Sequence, residues 1–208
     1  MPGSFFNKGF RGKRSAAAPG RIPPGQYQTE GFPVLSAGPT PRINLQTWRF
    51  AIEGLVASPL ELNWEAFNAL PRESYTRDIH CVTKWSKLDA RWEGVSIDTL
   101  LANVSLLPEA RYVMAYCYGG YTTNVPLADL TGGKGFVGLW IDGQPLTPEH
   151  GGPARLVVPH LYFWKSAKWI KGLRLMAEDQ PGFWEQAGYS LYGDPWKEQR
   201  YRTDDQTT

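Results

Sequence analysis

Cys81 is the residue with the clearest chemical potential, because it stands between an apolar segment and a turn of polar and basic residues. The surrounding run, 78–89, reads Asp-Ile-His-Cys-Val-Thr-Lys-Trp-Ser-Lys-Leu-Asp. A thiolate in such a turn can bind a soft metal ion, and positive charge on His80, Lys84 and Lys87 would favour it by lowering the thiol pKa. A free cysteine is also often a small buried apolar side chain, so position alone leaves both interpretations open.

A second group of polar residues lies downstream. His150 and Arg155 flank a Gly-Gly-Pro turn, and the sequence Ser166-Ala167-Lys168 begins eleven residues after Arg155. A forked guanidinium, a lysine point charge and a serine hydroxyl are the donors that a phosphate group requires. Together they predict a phosphate-binding site, although each cation alone is more typical of a solvated surface.

Short strands and short helices must position these residues. Hydrophobic patterning predicts strands at 48–54, 75–82, 112–117, 136–141 and 155–158. Asn63 and Ser96 are predicted N-caps of short helices that run over 64–70 and to Leu101. A polar loop is expected at 118–124, followed by a short helix from Pro126 to Leu130. This mixture predicts an α+β fold of mixed sheets with short helices.

The composition favours one domain rich in loops and short strands. The chain has 208 residues, of which 42% are hydrophobic, with nine Trp, ten Tyr, 22 Gly and 17 Pro, and such a chain can bury a substantial core while disfavouring a helical bundle. We predict an N-terminal arm or tail at 1–24 and the folded domain at 25–208. The aromatic residues between 183 and 196 are expected to pack over the core, or to form a stacking surface for a ligand.

Charge and hydropathy argue against several classes of protein. A net charge of +2 with dispersed basic residues does not indicate nucleic-acid binding, and no apolar run reaches the roughly 20 residues of a membrane span. Two cysteines do not make a disulfide scaffold, and the N-terminus lacks the apolar stretch of a signal peptide. We therefore expect a cytoplasmic protein with reduced thiols.

The motifs, taken in order, resemble the molybdopterin-binding domain of the sulfite oxidase family, most closely its small bacterial single-domain members. The resemblance covers about residues 26–176. It rests on Glu-Gly-Phe-Pro-Val at 30–34, the Cys81 run followed by Trp-Glu-Gly-Val at 92–95, Gly-Gly-Tyr-Thr-Thr-Asn at 119–124, His-Gly-Gly-Pro-Ala-Arg at 150–155, and Lys-Ser-Ala-Lys-Trp at 165–169.

The resemblance implies a role for each matching residue. Cys81 would bind molybdenum beside the pterin dithiolene, while His150 and Arg155 would hold the pterin and its phosphate. The other residues implied to contact the cofactor are Glu30, Gly31, Phe32, His80, Cys117, Lys165, Ser166, Ala167 and Lys168. Residues expected to meet a substrate are Lys84, Tyr121 and, as an alternative, Tyr118, and Trp85 and Trp164 are further candidates to line the pocket.

The activity implied by the resemblance is oxo transfer between a mononuclear molybdenum centre, Mo-molybdopterin, and a small-molecule substrate. Animal and plant sulfite oxidases carry sulfite-binding arginines shortly after the ligand cysteine, whereas Val-Thr-Lys-Trp-Ser follows Cys81 here. Reduction of a sulfoxide or related oxide is therefore favoured over a sulfite oxidase or dehydrogenase activity. A non-catalytic, aromatic-lined binding protein is the alternative from another class.

The absence of haem and flavin motifs predicts a separate haem or flavin protein as electron donor or acceptor. The dimerisation domain of the larger family members is also missing from the sequence, so we expect a monomer.

Overall fold

Two β-sheets joined by short helices make up the computed structural model, which describes residues 14–15 and 20–206. The strands, in chain order, are β1 (Arg14–Ser15), β2 (Tyr27–Thr29), β3 (Arg49–Gly54), β4 (Leu60–Asn63), β5 (Glu73–His80), β6 (Trp85–Ser96), β7 (Tyr112–Cys117), β8 (Thr122–Pro126), β9 (Phe136–Ile141), β10 (Gln144–Pro145), β11 (Arg155–Val157) and β12 (Ile170–Met176). The helices are α1 (Trp64–Asn68), α2 (Ile97–Leu101) and α3 (Phe183–Gln186), with 3-10 helices at Leu127–Asp129, Pro148–His150, Phe163–Lys165 and Arg202–Gln206.

Both sheets are mixed, and each contains one parallel pair of strands, β2 with β6 in the first and β3 with β12 in the second. The first has the order β1-β2-β6-β9-β10, with β5 on β6 and β11 on β9, and the second has the order β4-β3-β12-β7-β8. β12 runs parallel to β3 and antiparallel to β7. Gly172 of β12 permits this close pairing, because a Cβ there would lie 2.3 Å from the Tyr116 hydroxyl and 2.6 Å from the Ala51 oxygen.

The apolar side chains form two clusters. The larger cluster joins the second sheet to α2 and β11, with Phe50, Leu100, Leu156 and Leu173 among its fully buried members. The smaller cluster lies around β5 and β6, and Cys81 is one of its members. The sulfur atom of Cys81 is thus backed by apolar side chains.

Both predicted helix caps are confirmed. The side chain of Asn63 accepts a hydrogen bond from the Ala66 amide (2.8 Å), and that of Ser96 accepts one from the Thr99 amide (3.1 Å). These bonds satisfy amides that have no partner within the helix. α1 ends at Asn68, two residues before the predicted Leu70, because the following Pro71 disfavours helical backbone at Leu70.

The predicted strands are confirmed within two residues at each end. The prediction of a polar loop at 118–124 is wrong for its second half, because Thr122–Pro126 forms strand β8, which pairs with β7. Strands β1, β2, β4, β6, β10 and β12 were not predicted from the sequence. The predicted arm at 1–24 lies mostly outside the described residues, so the division at residue 24 stays a prediction. Among the residues that are described, no helix is long and apolar enough to cross a membrane.

Candidate cofactor site

Cys81 occupies the tight reversal between β5 and β6. The Lys84 amide donates to the Cys81 oxygen (2.9 Å), and the Cys81 amide donates to the Trp85 oxygen (2.8 Å). Lys84 has a φ of 77°, an uncommon backbone conformation for a residue other than glycine, and its side chain is exposed. The Cys81 side chain is 7% exposed, and its Sγ accepts a hydrogen bond from the Thr83 hydroxyl (3.1 Å).

The charges around Cys81 differ from those expected. Burial raises the pKa of the thiol, while the Thr83 hydrogen bonds and then the charges of Arg200 and Arg155 act in the opposite direction. Burial also lowers the pKa of His80 to about 4, so the expectation that His80 supplies positive charge is wrong. Lys87 instead contacts Asp142 at 3.1 Å. The cations that act on the sulfur therefore come from distant parts of the chain.

A hydrogen-bonded chain of side chains fixes the Cys81 turn to the N-terminal part of the domain. His80 Nδ1 lies 2.8 Å from the Ser86 hydroxyl, which donates to Gln26 Oε1 (3.3 Å). Gln26 Nε2 in turn donates to the backbone oxygen of Cys81 (3.1 Å). The structure thus uses His80 Nδ1 to support the turn, and the expected cofactor contact of His80 stays a prediction.

Arg155 links the two predicted phosphate-binding segments. It begins β11, and its Nη1 and Nη2 donate to the backbone oxygens of His150 (2.7 Å) and Ser166 (2.5 Å). Its guanidinium lies over the ring of Phe163, 4.2 Å from the centroid. Burial lowers the pKa of Arg155 to about 9. Within the described residues, its Nε is buried without a hydrogen-bond partner, and no carboxylate lies in ion-pair range.

Phe32 brings the 30–34 loop to the same place. Its ring stacks on His150 with centroids 4.2 Å apart, and its backbone oxygen accepts a hydrogen bond from His150 Nε2 (2.9 Å). Burial lowers the pKa of His150, which agrees with a neutral ring whose Nδ1 lies 3.0 Å from the Thr147 hydroxyl. Glu30 and Gly31 are exposed at the edge of this contact.

The segment 166–168 packs along β11. The Ser166 hydroxyl accepts a hydrogen bond from the Val158 amide (2.9 Å), and the Ala167 oxygen accepts one from the Leu156 amide (2.9 Å). Lys168 Nζ donates to the Glu149 oxygen. Burial, followed by the charge of Arg155, lowers the pKa of Lys168 to about 8. Two partly desolvated cations therefore lie close enough to repel each other.

Lys165 has a different setting from its neighbours. Its side chain is 0% exposed, and its Nζ contacts Glu185 Oε1 (2.7 Å), the oxygens of Asn124 (2.9 Å each) and the backbone oxygen of Leu191 (2.7 Å). An ammonium group has three donors, and these four acceptors occupy them. The ammonium thus joins β8 to the segment after α3, and the expected contact of Lys165 with the cofactor stays a prediction that this arrangement does not favour.

The tyrosines of the 118–121 turn bond to the backbone. Tyr118 donates to the Arg49 oxygen (3.0 Å) and accepts from the Arg49 amide (2.7 Å), so its hydroxyl holds β3 and is not free for a substrate. Tyr121 donates to the Trp164 oxygen (2.7 Å), and burial raises its pKa. Cys117 is buried near Arg155, and burial raises the pKa of its thiol. Tyr121 and Cys117 therefore border the site, but neither the Tyr121 hydroxyl nor the Cys117 thiol is exposed.

Sequence reasoning missed Gln26 and Arg200, both of which bond to the Cys81 turn. Arg200 Nη1 donates to the Val82 oxygen (2.6 Å). Arg200 belongs to residues 189–204, here called the C-terminal segment. The ring of Tyr189 in this segment packs edge-on against Trp164, with centroids 5.3 Å apart. Neither residue stands in a recognisable motif, so no local signal could have identified them.

The donor set fits a molybdopterin. Cys81 offers a sulfur atom that is suited to a soft redox metal, and Arg155 and Lys168 offer two cations with depressed pKa values. A buried guanidinium with an unpartnered N–H is stabilised by an incoming anion such as a phosphate. The site therefore combines a metal ligand with an anion-binding region.

Comparisons with known proteins agree with this chemistry. A family model described as "Oxidoreductase molybdopterin binding domain" matches residues 37–184. The Bacillus subtilis protein named uncharacterized oxidoreductase YuiH is 44% identical over 196 residues, which are 94% of this chain and 99% of that protein.

Two further relatives are named as reductases. The putative protein-methionine-sulfoxide reductase subunit YedZ1 of Azospira oryzae is 30% identical over 73% of this chain and 57% of its own length. The protein-methionine-sulfoxide reductase catalytic subunit MsrP of Gluconobacter oxydans is 27% identical over 70% of this chain and 52% of its own length. This chain thus spans little more than half of each reductase.

Among solved structures, the sulfane dehydrogenase SoxCD of Paracoccus pantotrophus superimposes with a TM-score of 0.63. The match has 23% sequence identity and covers 74% of this chain and 43% of that chain. At this identity the likeness shows the shared fold.

Proposed function

The chain belongs to the family of oxidoreductase molybdopterin-binding domains, and from that premise we propose that Cys81 binds the molybdenum of a mononuclear Mo-molybdopterin that transfers an oxygen atom. The favoured substrate is a small sulfoxide or a related oxide. The observation that carries this proposal is the Cys81 sulfur in a constrained turn, under the electrostatic influence of the buried Arg155 guanidinium, which has no carboxylate partner among the described residues.

The residues of the site have separate tasks in this proposal. Cys81 fixes the metal at the end of β5. Arg155, Lys168 and the Ser166 segment bind the phosphate of the pterin, and His150 with Phe32 covers the ring system. The residues proposed to bind the phosphate lie on β11 and in the loop after it, so they are separate in sequence from the metal ligand.

The proposed reaction is a two-electron reduction. When bound, the molybdenum centre supplies oxo-transfer chemistry. The S–O bond of the sulfoxide breaks, the sulfur gains two electrons, and the oxygen leaves as water after taking up two protons. A separate haem or flavin protein supplies the electrons. Support comes from the names of the two reductase relatives and from the lack of arginines at 82–86.

Oxidation of sulfite is the second candidate, and the position of Arg200 favours it. Its guanidinium donates to the backbone immediately after Cys81, so a cation is present beside the turn although none of residues 82–86 is an arginine. A substrate panel with artificial electron donors and acceptors separates the two reactions. Turnover of sulfite far above that of any sulfoxide would reverse the preference.

Replacing the thiol tests the metal assignment directly. We expect Cys81→Ala and Cys81→Ser to abolish turnover and lose molybdenum while retaining much of the pterin, because Arg155 and Lys168 are unchanged. Elemental analysis measures the metal, and fluorescence of the released pterin measures the cofactor. As a comparison, Cys117→Ala removes the other thiol and should keep the metal. Full activity in Cys81→Ala would refute the assignment.

A further inference from the structure

Arg200 is held rigidly by the C-terminal segment. Its backbone oxygen accepts a hydrogen bond from the Ser190 amide (3.1 Å), and its amide donates to Asp204 Oδ2 (3.1 Å). An isolated bridge between Tyr189 and Tyr201 holds the segment together beside it. The side chain therefore leaves a fixed backbone position.

The guanidinium of Arg200 is nearly enclosed. The side chain is 12% exposed, its Nη1 donates to the Val82 oxygen (2.6 Å), and its Cζ lies 5.1 Å from the centroid of the Tyr162 ring. Within the part of the chain that the structure describes, Nη2 is buried without a hydrogen-bond partner. The Glu198 carboxylate lies 3.6 Å from it, within ion-pair range but beyond hydrogen-bond distance, and its half-exposed side chain makes this a water-weakened pair.

Arg200 and Arg155 are bonded to different parts of the site, although the charges of both favour the thiolate of Cys81. Arg155 is bonded to the His150 and Ser166 segments, and Arg200 is bonded to the turn itself. One guanidinium thus belongs to the phosphate side and the other to the metal-ligand side.

We propose that Arg200 is a positioning residue that tunes the metal: its fixed, poorly solvated positive charge beside the Cys81 turn raises the reduction potential of the molybdenum bound there. This inference rests on the proposed function, because it requires the metal at Cys81. Net charge and solvent exposure around a metal centre set its potential. A nearby cation stabilises the reduced state, which carries one more negative charge, and a buried cation is screened little by salt.

The test compares holoenzymes that differ by one positive charge. Arg200→Gln removes the charge but keeps a polar side chain, and Arg200→Lys keeps the charge. The control is Lys197→Gln, which removes an exposed charge from the same segment. Two quantities are measured for each protein. Elemental analysis gives the molybdenum content, and redox titration monitored by electron paramagnetic resonance, at low and at high salt, gives the midpoint potential of the metal.

We expect Arg200→Gln to shift the ratio of reduced to oxidised metal at a fixed potential by about tenfold towards the oxidised form, which corresponds to about 59 mV for one electron. The shift should persist in high salt. Arg200→Lys should stay close to wild type, and Lys197→Gln should show a small shift that salt abolishes.

An unchanged potential in fully loaded Arg200→Gln would overturn the inference. Loss of molybdenum from both Arg200 variants would also overturn it, because Arg200 would then serve as a structural clamp on the turn. Failure of the proposed function looks different, since the wild-type protein would then bind no molybdenum or would keep it in Cys81→Ala.

Discussion

The buried ion pair between Lys165 and Glu185 gives the sharpest test of how the site is supported. Both side chains are 0% exposed, and Nζ lies 2.7 Å from Oε1. Glu185 Oε1 also accepts hydrogen bonds from Thr123 and Trp164 (2.9 Å each), while its Oε2 has no partner among the described residues. The pair joins the end of the Phe163–Lys165 helix to α3, and so it locks the start of the Ser166–Lys168 segment.

Removing one partner leaves the other charge buried. Lys165→Met strands the Glu185 carboxylate, and the loss of one member of a buried pair typically costs about 3–5 kcal/mol of unfolding free energy. For a chain of this length that corresponds to a fall in Tm of about 6–20 °C. Glu185→Gln should cost a similar amount, because the ammonium of Lys165 is then unpaired.

The double variant Lys165→Met with Glu185→Gln removes both charges. It should be less destabilised than the sum of the single variants by about 2 kcal/mol, measured by urea unfolding monitored with circular dichroism. It should also recover pterin that either single variant loses, because the ammonium is bonded within the protein and we expect it to take no part in binding. Additive destabilisation would refute the ion-pair argument, and a stable double variant without pterin would restore Lys165 as a cofactor residue.

Two further predictions concern pH and a helix cap. Burial lowers the pKa of Lys168 to about 8, with smaller contributions from the charges of Arg155, Glu149 and Cys81. The folded state therefore disfavours its charged form, and the unfolding free energy of cofactor-free protein should rise as pH increases from about 8 to 10.5; a series of urea titrations measures this rise, which Lys168→Met should diminish. Asn63→Ala should cost about 1 kcal/mol, whereas Asn63→Asp should cost little; equal stability of all three proteins would contradict the cap.

The fold class, the relation to the sulfite oxidase family and the oxidoreductase class could be predicted from the sequence and are confirmed by the structure and the comparisons. The caps at Asn63 and Ser96 were predictable because they depend on neighbouring residues. Strand β6 was missed although exposed Asp89 and Arg91 alternate with buried Ala90 and Trp92, since its first residues read as part of the cysteine motif.

The site was predictable where motifs are local and unpredictable where it depends on long-range contacts. The loops containing Phe32, His150 and Lys168 meet as expected, whereas the direction of the Lys165 side chain depends on Glu185, twenty residues away in another element. Arg200 lies 118 residues from its hydrogen-bond partner. The cofactor roles, the monomeric state, the electron partner and the cytoplasmic location stay predictions.

The two bonds that hold the Cys81 turn also have a consequence for the order of folding. Gln26 reaches it from 55 residues earlier in the chain, and Arg200 reaches Val82 from 118 residues later. Long-range contacts form late, because closing a long loop costs entropy before the contact can form. During synthesis Gln26 and the thiol turn leave the ribosome before Arg200, so we expect the bond from Arg200 to Val82 to be the later of the two to form and to close the turn from the C-terminal end of the chain.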